Sequence, residues 1–327
     1  MKLVKLLGTS MLLVGLIASS FNIAHAETTD VHPQVGKTNV SELMNKAGTF
    51  YYQKFIAGTE EKCDSMGVTC TYLPDPQQVN HNMTVKVNGQ AGQVNLQEVM
   101  LEHLGEDILT NQTSSKPETR YTSVYGISQT NSKTTTVNKG FVLPNSVNNV
   151  LVAADIAGIG KETFNFDLNK SESVSDSTTE TINTSPQAYT VNPHQVIKVV
   201  TELYALEYDG TVEFKAETEQ NDINFEIQAH GAYCMSMPSG GTICAHKDRT
   251  FNKDFTILYD NLDEGHKQEL ENGGMLLNTK VPGAKKIPYF KGLGEFKGLG
   301  GHRVVTKDYD ITDPNNPILL GVRSQDI

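Results

Sequence analysis

Four cysteines are the residues whose type and spacing most directly predict chemistry. Cys63 and Cys70 form one local pair, and Cys234 and Cys244 flank a turn rich in Gly and Pro. Four cysteines allow three disulfide connectivities, of which pairing within each local pair is the simplest, and free buried thiols are the alternative. Neither spacing fits a zinc site, which requires closer cysteines or nearby histidines. We therefore expect two local disulfides and no metal site.

Catalytic motifs are missing from the sequence. It contains no Gly-x-Ser-x-Gly, no His-Glu-x-x-His and no P-loop. The segment 292–294 lacks the third glycine of a dinucleotide fingerprint, because Lys297 occupies that position. The nine histidines are scattered, and His103 is expected on a helix surface rather than as a ligand. The sequence predicts neither enzyme activity nor a cofactor.

The first 26 residues have the pattern of a secretory signal peptide. Two lysines precede a short apolar stretch, and Ala24-His25-Ala26 forms a small-x-small cleavage site before Glu27. A membrane anchor is the alternative, but the apolar run is too short to span a bilayer. The chain has 27 basic and 38 acidic side chains and a net charge of −11, which argues against a nucleic-acid partner. We expect a secreted protein that begins at Glu27.

The sequence predicts a small helical region followed by a long β body. An amphipathic helix is expected over Ser41–Phe55 with Ser41 as its N-cap, and a second helix over Leu96–Leu109. These helices belong to a predicted N-terminal region, 27–109, and a β module is expected over 110–327. The predicted fold class is mainly β, with long antiparallel strands.

β-branched and aromatic runs after residue 110 favour strands, including one over Gln195–Tyr204. Asp209-Gly210 has the sequence of a tight turn between two strands of a hairpin. The segments 128–136 and 171–185 are rich in Ser and Thr, and we expect them to pair as extended strands rather than to form a linker.

An amphipathic hairpin is expected between these hydroxyl-rich segments, over residues 137–168. Its turn is expected at 152–157, and Pro144 interrupts the first arm, since proline cannot donate to a strand ladder. The residues predicted to share one apolar face are Val137, Phe141, Leu143, Val147 and Leu151 on the first arm and Ile156, Phe164, Phe166 and Leu168 on the return arm.

Such a hairpin is not stable alone in water, but several copies can close into a membrane barrel with one face towards lipid. Each arm has about fifteen residues, more than the roughly 10 that a tilted strand needs to cross a bilayer. A surface hairpin of an ordinary β-sandwich is the alternative that periodicity leaves open.

The order of these segments resembles the aerolysin-type β-pore-forming toxins, and within them the epsilon-toxin/MTX2 family. The residues that carry the resemblance are Leu109–Asn111, Thr134–Thr136, Phe164–Phe166, Ser185–Gln187 and Val191–Pro193, with a weaker match in the glycine-rich stretch 292–305. The resemblance implies an elongated β fold, a soluble monomer, an activating protease, a target-cell receptor and a homo-oligomeric ring, typically a heptamer, inserted in the target membrane. The alternative function is a secreted, lectin-like binding protein that never inserts.

Two further expectations come from this resemblance. The aromatic side chains Phe50, Tyr51, Tyr52 and Phe55 are candidates for receptor binding, because family members bind receptors through aromatic residues of the N-terminal domain; packing of the helix onto the β body is the alternative. Proteolysis is expected to trim 27–37, the tail after Lys307 or Arg323, or both. Residues Ile318–Leu320 are expected to cover an apolar edge until the tail is removed.

Overall fold

The computed structural model describes residues 36–113, 115–144, 147–170 and 172–327. The predicted signal peptide and its cleavage site between Ala26 and Glu27 lie outside these residues. In chain order the elements are β1 (Gly36–Asn39), α1 (Val40–Phe55), β2 (Glu60–Lys62), β3 (Thr69–Tyr72), β4 (Gln78–His81), β5 (Val85–Thr110), β6 (Glu118–Tyr121), β7 (Gly126–Val142), β8 (Asn149–Ile156), β9 (Gly160–Asp167), β10 (Val174–Asn183), β11 (Ala188–Val191), β12 (Val196–Thr218), β13 (Asn224–Ser236), β14 (Thr242–Asp254), α2 (Phe255–Asp260), α3 (Glu264–Asn272), β15 (Leu276–Leu277), β16 (Pro288–Asp310) and β17 (Ile318–Asp326).

Long strands dominate the main sheet. Its central order is β1-β7-β16-β12-β5, with β10 paired to β7 and with β15 and β17 paired to β16. β12 and β16 each have 23 residues and β5 has 26. At about 3.3 Å per residue, strands of this length extend over about 75 Å. Every pairing in this sheet is antiparallel except β1 with β7. The mainly β fold with long antiparallel strands is confirmed.

A second sheet packs with α1 and α2, and α3 packs on α1. Its order is β14-β13-β3-β2, and β4 also pairs with β13. The predicted first helix is confirmed, but it begins at Val40, because the Asn39 side chain, not that of Ser41, accepts a hydrogen bond from the Glu42 N–H and caps it. The buried residues of α1 join those of β13 and of the main sheet in one apolar cluster.

The predicted helix over Leu96–Leu109 is wrong. These residues belong to β5, which pairs with β12 from Val85 opposite Thr218 to Thr110 opposite Val196, with three register shifts along the way. Hydrogen bonds to a distant strand satisfy this backbone, and such tertiary pairing overrides a weak local preference for helix.

The predicted turn at Asp209-Gly210 is also wrong, because both residues lie inside β12. Gly210 is needed for close packing instead: a Cβ there would come within 2.5 Å of the Phe296 ring. Asp209 accepts a hydrogen bond from the Asn95 side chain at 2.9 Å. The dipeptide therefore marks a crowded position inside the sheet, where Gly210 lies directly opposite Phe296 of β16, rather than a chain reversal.

Candidate functional site

The predicted amphipathic segment contains a short hairpin, β8–β9. Asn149 pairs with Asp167 at its open end and Ile156 with Gly160 at its closed end. The predicted turn at 152–157 is wrong, because β8 continues to Ile156 and the reversal occupies 157–159. Gly158 in this turn and Gly160 at the start of β9 have φ values of 80° and 104°, a conformation that glycine adopts most easily.

One face of the hairpin is buried against the main sheet. Phe164 stacks on Phe296 of β16 with ring centroids 4.3 Å apart, and Phe166 meets Phe214 of β12 edge-on at 5.2 Å. Gly89 of β5 has no side chain, and a Cβ there would lie only 2.4 Å from Val152 Cγ2. The buried residues of the hairpin and its end are Val150, Val152, Ala154, Ile156, Phe164, Phe166 and Leu168.

Few backbone interactions hold this hairpin. Among the described residues, β8 and β9 pair with each other and with no other strand. The polar contacts to its surroundings include Thr135 Oγ1 donating to the Asn165 carbonyl at 2.9 Å and Lys37 Nζ donating to the Asn169 carbonyl at 2.7 Å. Lys133 also forms an ion pair with Glu162. The hairpin can therefore leave the sheet without breaking a strand ladder.

The tyrosine beneath the hairpin is held in its neutral form. Burial, reinforced by the nearby Glu162 carboxylate, raises the pKa of Tyr208 to about 12. Its ring meets Phe164 edge-on with the centroids 6.2 Å apart. Tyr208 therefore acts as a largely apolar contact surface for the docked hairpin.

The hydroxyl-rich strands on either side of the hairpin pair with each other. β7 and β10 are antiparallel from Gly126 opposite Asn183 to Thr135 opposite Val174, which confirms the expected extended pairing. Cross-strand hydroxyl contacts join Thr130 to Thr179 at 2.9 Å and other Ser and Thr pairs at similar distances. β10 is almost entirely exposed. This pair forms a polar base from which the apolar hairpin continues.

The predicted apolar face is only partly present in this structure. Six of its residues are buried in the docked state, namely Val137, Phe141, Ile156, Phe164, Phe166 and Leu168, and Leu143 and Val147 are half-buried in the connection between β7 and β8. Leu151 is 71% exposed and lies on the opposite side of the docked hairpin, so its place on the lipid-facing side of an inserted hairpin stays a prediction. The break after Val142 restarts the alternation, so that even-numbered residues of β8 point inward.

The receptor candidates are mostly buried. Tyr52 is fully buried and donates its hydroxyl to the Leu73 carbonyl at 2.8 Å, and Phe50 stacks on His266 with centroids 4.0 Å apart. Tyr51 is also buried, whereas Phe55 is 42% exposed. The packing alternative therefore accounts for the first three, and only Phe55 offers an accessible ring.

Both local disulfides are present. Cys63 is bonded to Cys70, and Cys234 to Cys244, as predicted. The described residues contain no group of three or more His, Cys, Asp or Glu that could hold a metal ion. No helix in the same part of the chain is long and apolar enough to cross a membrane.

The C-terminal tail forms a strand that sequence reasoning treated only as a cover. β17 pairs with β16 from Ile318 opposite Asp310 to Asp326 opposite Arg303, and Arg323 contacts Asp308 at 3.4 Å. It occupies a ladder position along β16, although its large apolar side chains remain about half exposed. Residues 318–326 read as an apolar run followed by a polar one, without the alternation of apolar and polar side chains that would predict a strand.

The structure is similar to the Mpp75Aa1.1 β-pore-forming protein from Brevibacillus laterosporus, with 16% identity, 88% of this chain and 96% of that chain covered, and a TM-score of 0.50. It also matches the Cry23Aa1 and Cry37Aa1 binary complex, with 15% identity, 89% of this chain and 96% of that chain covered, and a TM-score of 0.46. A third match is a non-toxic crystal protein from Bacillus thuringiensis, with 10% identity, 90% of this chain and 98% of that chain covered, and a TM-score of 0.44. At 16% identity the likeness to Mpp75Aa1.1 concerns the fold alone.

Sequence comparison adds a family assignment. A comparison with curated proteins finds no match. Residues 74–247 match the family described as Clostridium epsilon toxin ETX/Bacillus mosquitocidal toxin MTX2, and this segment contains the hairpin and both hydroxyl-rich strands. Because the match spans more than half of the chain, the protein belongs to the Clostridium epsilon toxin ETX/Bacillus mosquitocidal toxin MTX2 family.

Proposed function

We propose that this protein is a secreted pore-forming toxin that binds target-cell membranes, oligomerises into a ring and inserts a transmembrane β-barrel. The observation that carries the proposal is the β8–β9 hairpin, which buries an apolar face yet shares no strand ladder with the rest of the described chain. The family assignment supports the same function. The proposed partners are a surface receptor, an activating protease and further copies of the chain, typically seven in the ring; the proposal includes no enzymatic step, cofactor or nucleic acid.

The docked hairpin is too short to form the barrel wall unchanged. Each of its strands has eight residues, fewer than the roughly 9–11 that cross a bilayer. If the β7–β10 register continued through the segment, Leu151 would face Gly158 instead of Asn165, a shift of seven residues. The turn would then lie at Ala154-Asp155. The two arms would become long enough to span the membrane.

The shifted register also reunites the predicted apolar face. Residues directly opposite each other in an antiparallel pair project to the same side. In the continued register Phe141 faces Leu168 and Leu143 faces Phe166, and Leu151 joins the same side. Insertion is therefore proposed to combine release of the hairpin with a change of register, and the exposed Leu151 becomes a lipid-facing residue.

The energy of docking explains why the soluble protein keeps the hairpin in place. Burial of each large apolar side chain contributes about 1.5–3 kcal/mol. The docked hairpin and its end bury six of them, namely Val150, Val152, Ile156, Phe164, Phe166 and Leu168. The gross stabilisation is thus on the order of 10 kcal/mol or more, although the polar groups and chain entropy offset part of it. Release requires a compensating apolar environment, which a bilayer supplies.

A reversible covalent clamp tests the proposal. The 2.4 Å approach between a Gly89 Cβ and Val152 Cγ2 places the two Cβ atoms within disulfide range in a Gly89→Cys/Val152→Cys variant. The oxidised variant should bind cells but release no dye, and reduction should restore leakage. Each single-cysteine variant and the reduced wild type, whose native disulfides are also opened, serve as controls. Leakage by the fully oxidised clamp would refute insertion of this hairpin, and a wild type that binds but never leaks would indicate a non-inserting binding protein.

A further inference from the structure

The β13–β14 hairpin projects beyond the sheet to which it belongs. β13 and β14 pair up to Ser236 opposite Thr242, whereas β3 pairs with β13 only at Gly231 and Ala232. Beyond Ala232 no third strand flanks the ribbon within the described chain. Every residue from 233 to 243 is exposed. We call residues 233–243 the distal tip.

One face of the distal tip is apolar. Met235 lies directly opposite Ile243, and Tyr233 lies two residues earlier on the same side, as side chains alternate along a strand. Met237 continues this side into the turn. The Met237 N–H closes the turn by donating to the Gly241 carbonyl at 2.8 Å. The exposed fractions of these four side chains are 39–42%. The Cys234–Cys244 disulfide occupies the reverse side and braces the ribbon.

The distal tip also lacks charge. No charged side chain occurs from Gly231 to Ala245, although 20% of the whole chain is charged. The nearest cations behind it are neutralised, since Lys247 pairs with Asp64 at 2.6 Å and Arg249 with Glu61 at 3.0 Å. The tip therefore offers no attraction for an anionic surface, and the protein's net charge of −11 would oppose one.

We infer that the distal tip is a lipid-contacting anchor for the headgroup interface of a zwitterionic bilayer. A stable protein partner needs about 800 Å² on each side, more than an eleven-residue ribbon face supplies. A membrane interface needs only a few apolar side chains with an aromatic ring at headgroup level, and Tyr233, Met235 and Ile243 provide them. The inference rests on the proposed function for the nature of the target, a membrane, but not on hairpin insertion.

The test uses the oxidised Gly89→Cys/Val152→Cys clamp, so that insertion cannot contribute to binding. Clamped protein is sedimented with phosphatidylcholine vesicles, with and without phosphatidylserine, at low and high salt. A Met235→Ser/Ile243→Ser change should weaken binding about 100-fold, at roughly tenfold or about 1.4 kcal/mol per side chain. The matched control Ser236→Ala/Thr242→Ala, on the reverse side, should bind as the parent does. Retention of the parent's thermal unfolding midpoint shows that each variant is folded.

Three results would overturn the inference. They are equal binding of both double variants, no binding of the clamped parent to lipid alone, and binding that depends on phosphatidylserine and is lost in high salt. None of these results bears on the pore, because insertion is judged in a separate experiment, by the dye leakage that the unclamped protein causes. Failure of the anchor and failure of the proposed function are thus distinguishable.

Discussion

Replacing Leu151 by Arg tests the proposed change of register. Leu151 is 71% exposed in the docked hairpin, so an arginine there should change the free energy of unfolding by less than about 0.5 kcal/mol. In the continued β7–β10 register the same side chain faces lipid. An arginine on a lipid face costs about 2–4 kcal/mol at the bilayer midplane and less near an interface.

The expected effect on the pore follows from the position of Leu151. It lies three residues before the shifted turn, close to the far interface, so we take about 1 kcal/mol per chain, or roughly fivefold in the insertion equilibrium. The penalty recurs in every chain of a ring. Dye release at equal amounts of bound protein should therefore fall by much more than fivefold.

Asn165→Arg is the matched control. Asn165 lies directly opposite Leu151 in the docked hairpin and is also exposed. In the continued register it moves to the water-facing side, opposite Pro144. Asn165→Arg should therefore leak dye within about twofold of the wild type. If the two arginine variants lose activity equally, the docked register persists in the pore and the reasoning fails.

Three further predictions concern the rest of the molecule. Tyr52→Ala should cost about 3–5 kcal/mol of stability, because the ring is fully buried. Phe55→Ala should leave the thermal midpoint nearly unchanged, because the ring is exposed, and should lower cell binding if the receptor hypothesis holds. A chain that ends before Ile318 should assemble on membranes faster than the mature chain, because removal of β17 uncovers the edge of β16. A chain starting after Lys37 should show a smaller gain in assembly rate, and equal rates for all three chains would argue against activation by trimming. Burial lowers the pKa of His302 from 6.5, so the stability contributed by the neutral imidazole is complete above about pH 6.5 and is lost as the pH falls through the folded-state pKa. His302→Gln should therefore flatten the acid side of the profile of thermal midpoint against pH, and an unchanged slope would contradict this assignment.

Local chemistry in the sequence determined several features of this protein. The two cysteine pairs are close enough in the chain to meet across short turns, and both form as predicted. The Ser and Thr runs could pair only as exposed strands, since they offer β-branched residues but no apolar face. The alternation of Phe164, Phe166 and Leu168 fixed their shared burial, because side chains of a strand alternate whatever its partner.

Only the tertiary structure decided which strands continue and which break. Leu96–Leu109 became part of β5, and Asp209-Gly210 remained inside β12, because both satisfy their backbone groups on strands far away in the chain. The side on which Leu151 lies depends on the break after Val142, which restarts the alternation. A period of two predicts faces only within an unbroken strand. Pro144 marks in the sequence where the ladder is interrupted, but the register in which the alternation restarts depends on packing against distant strands, which no local window of sequence contains.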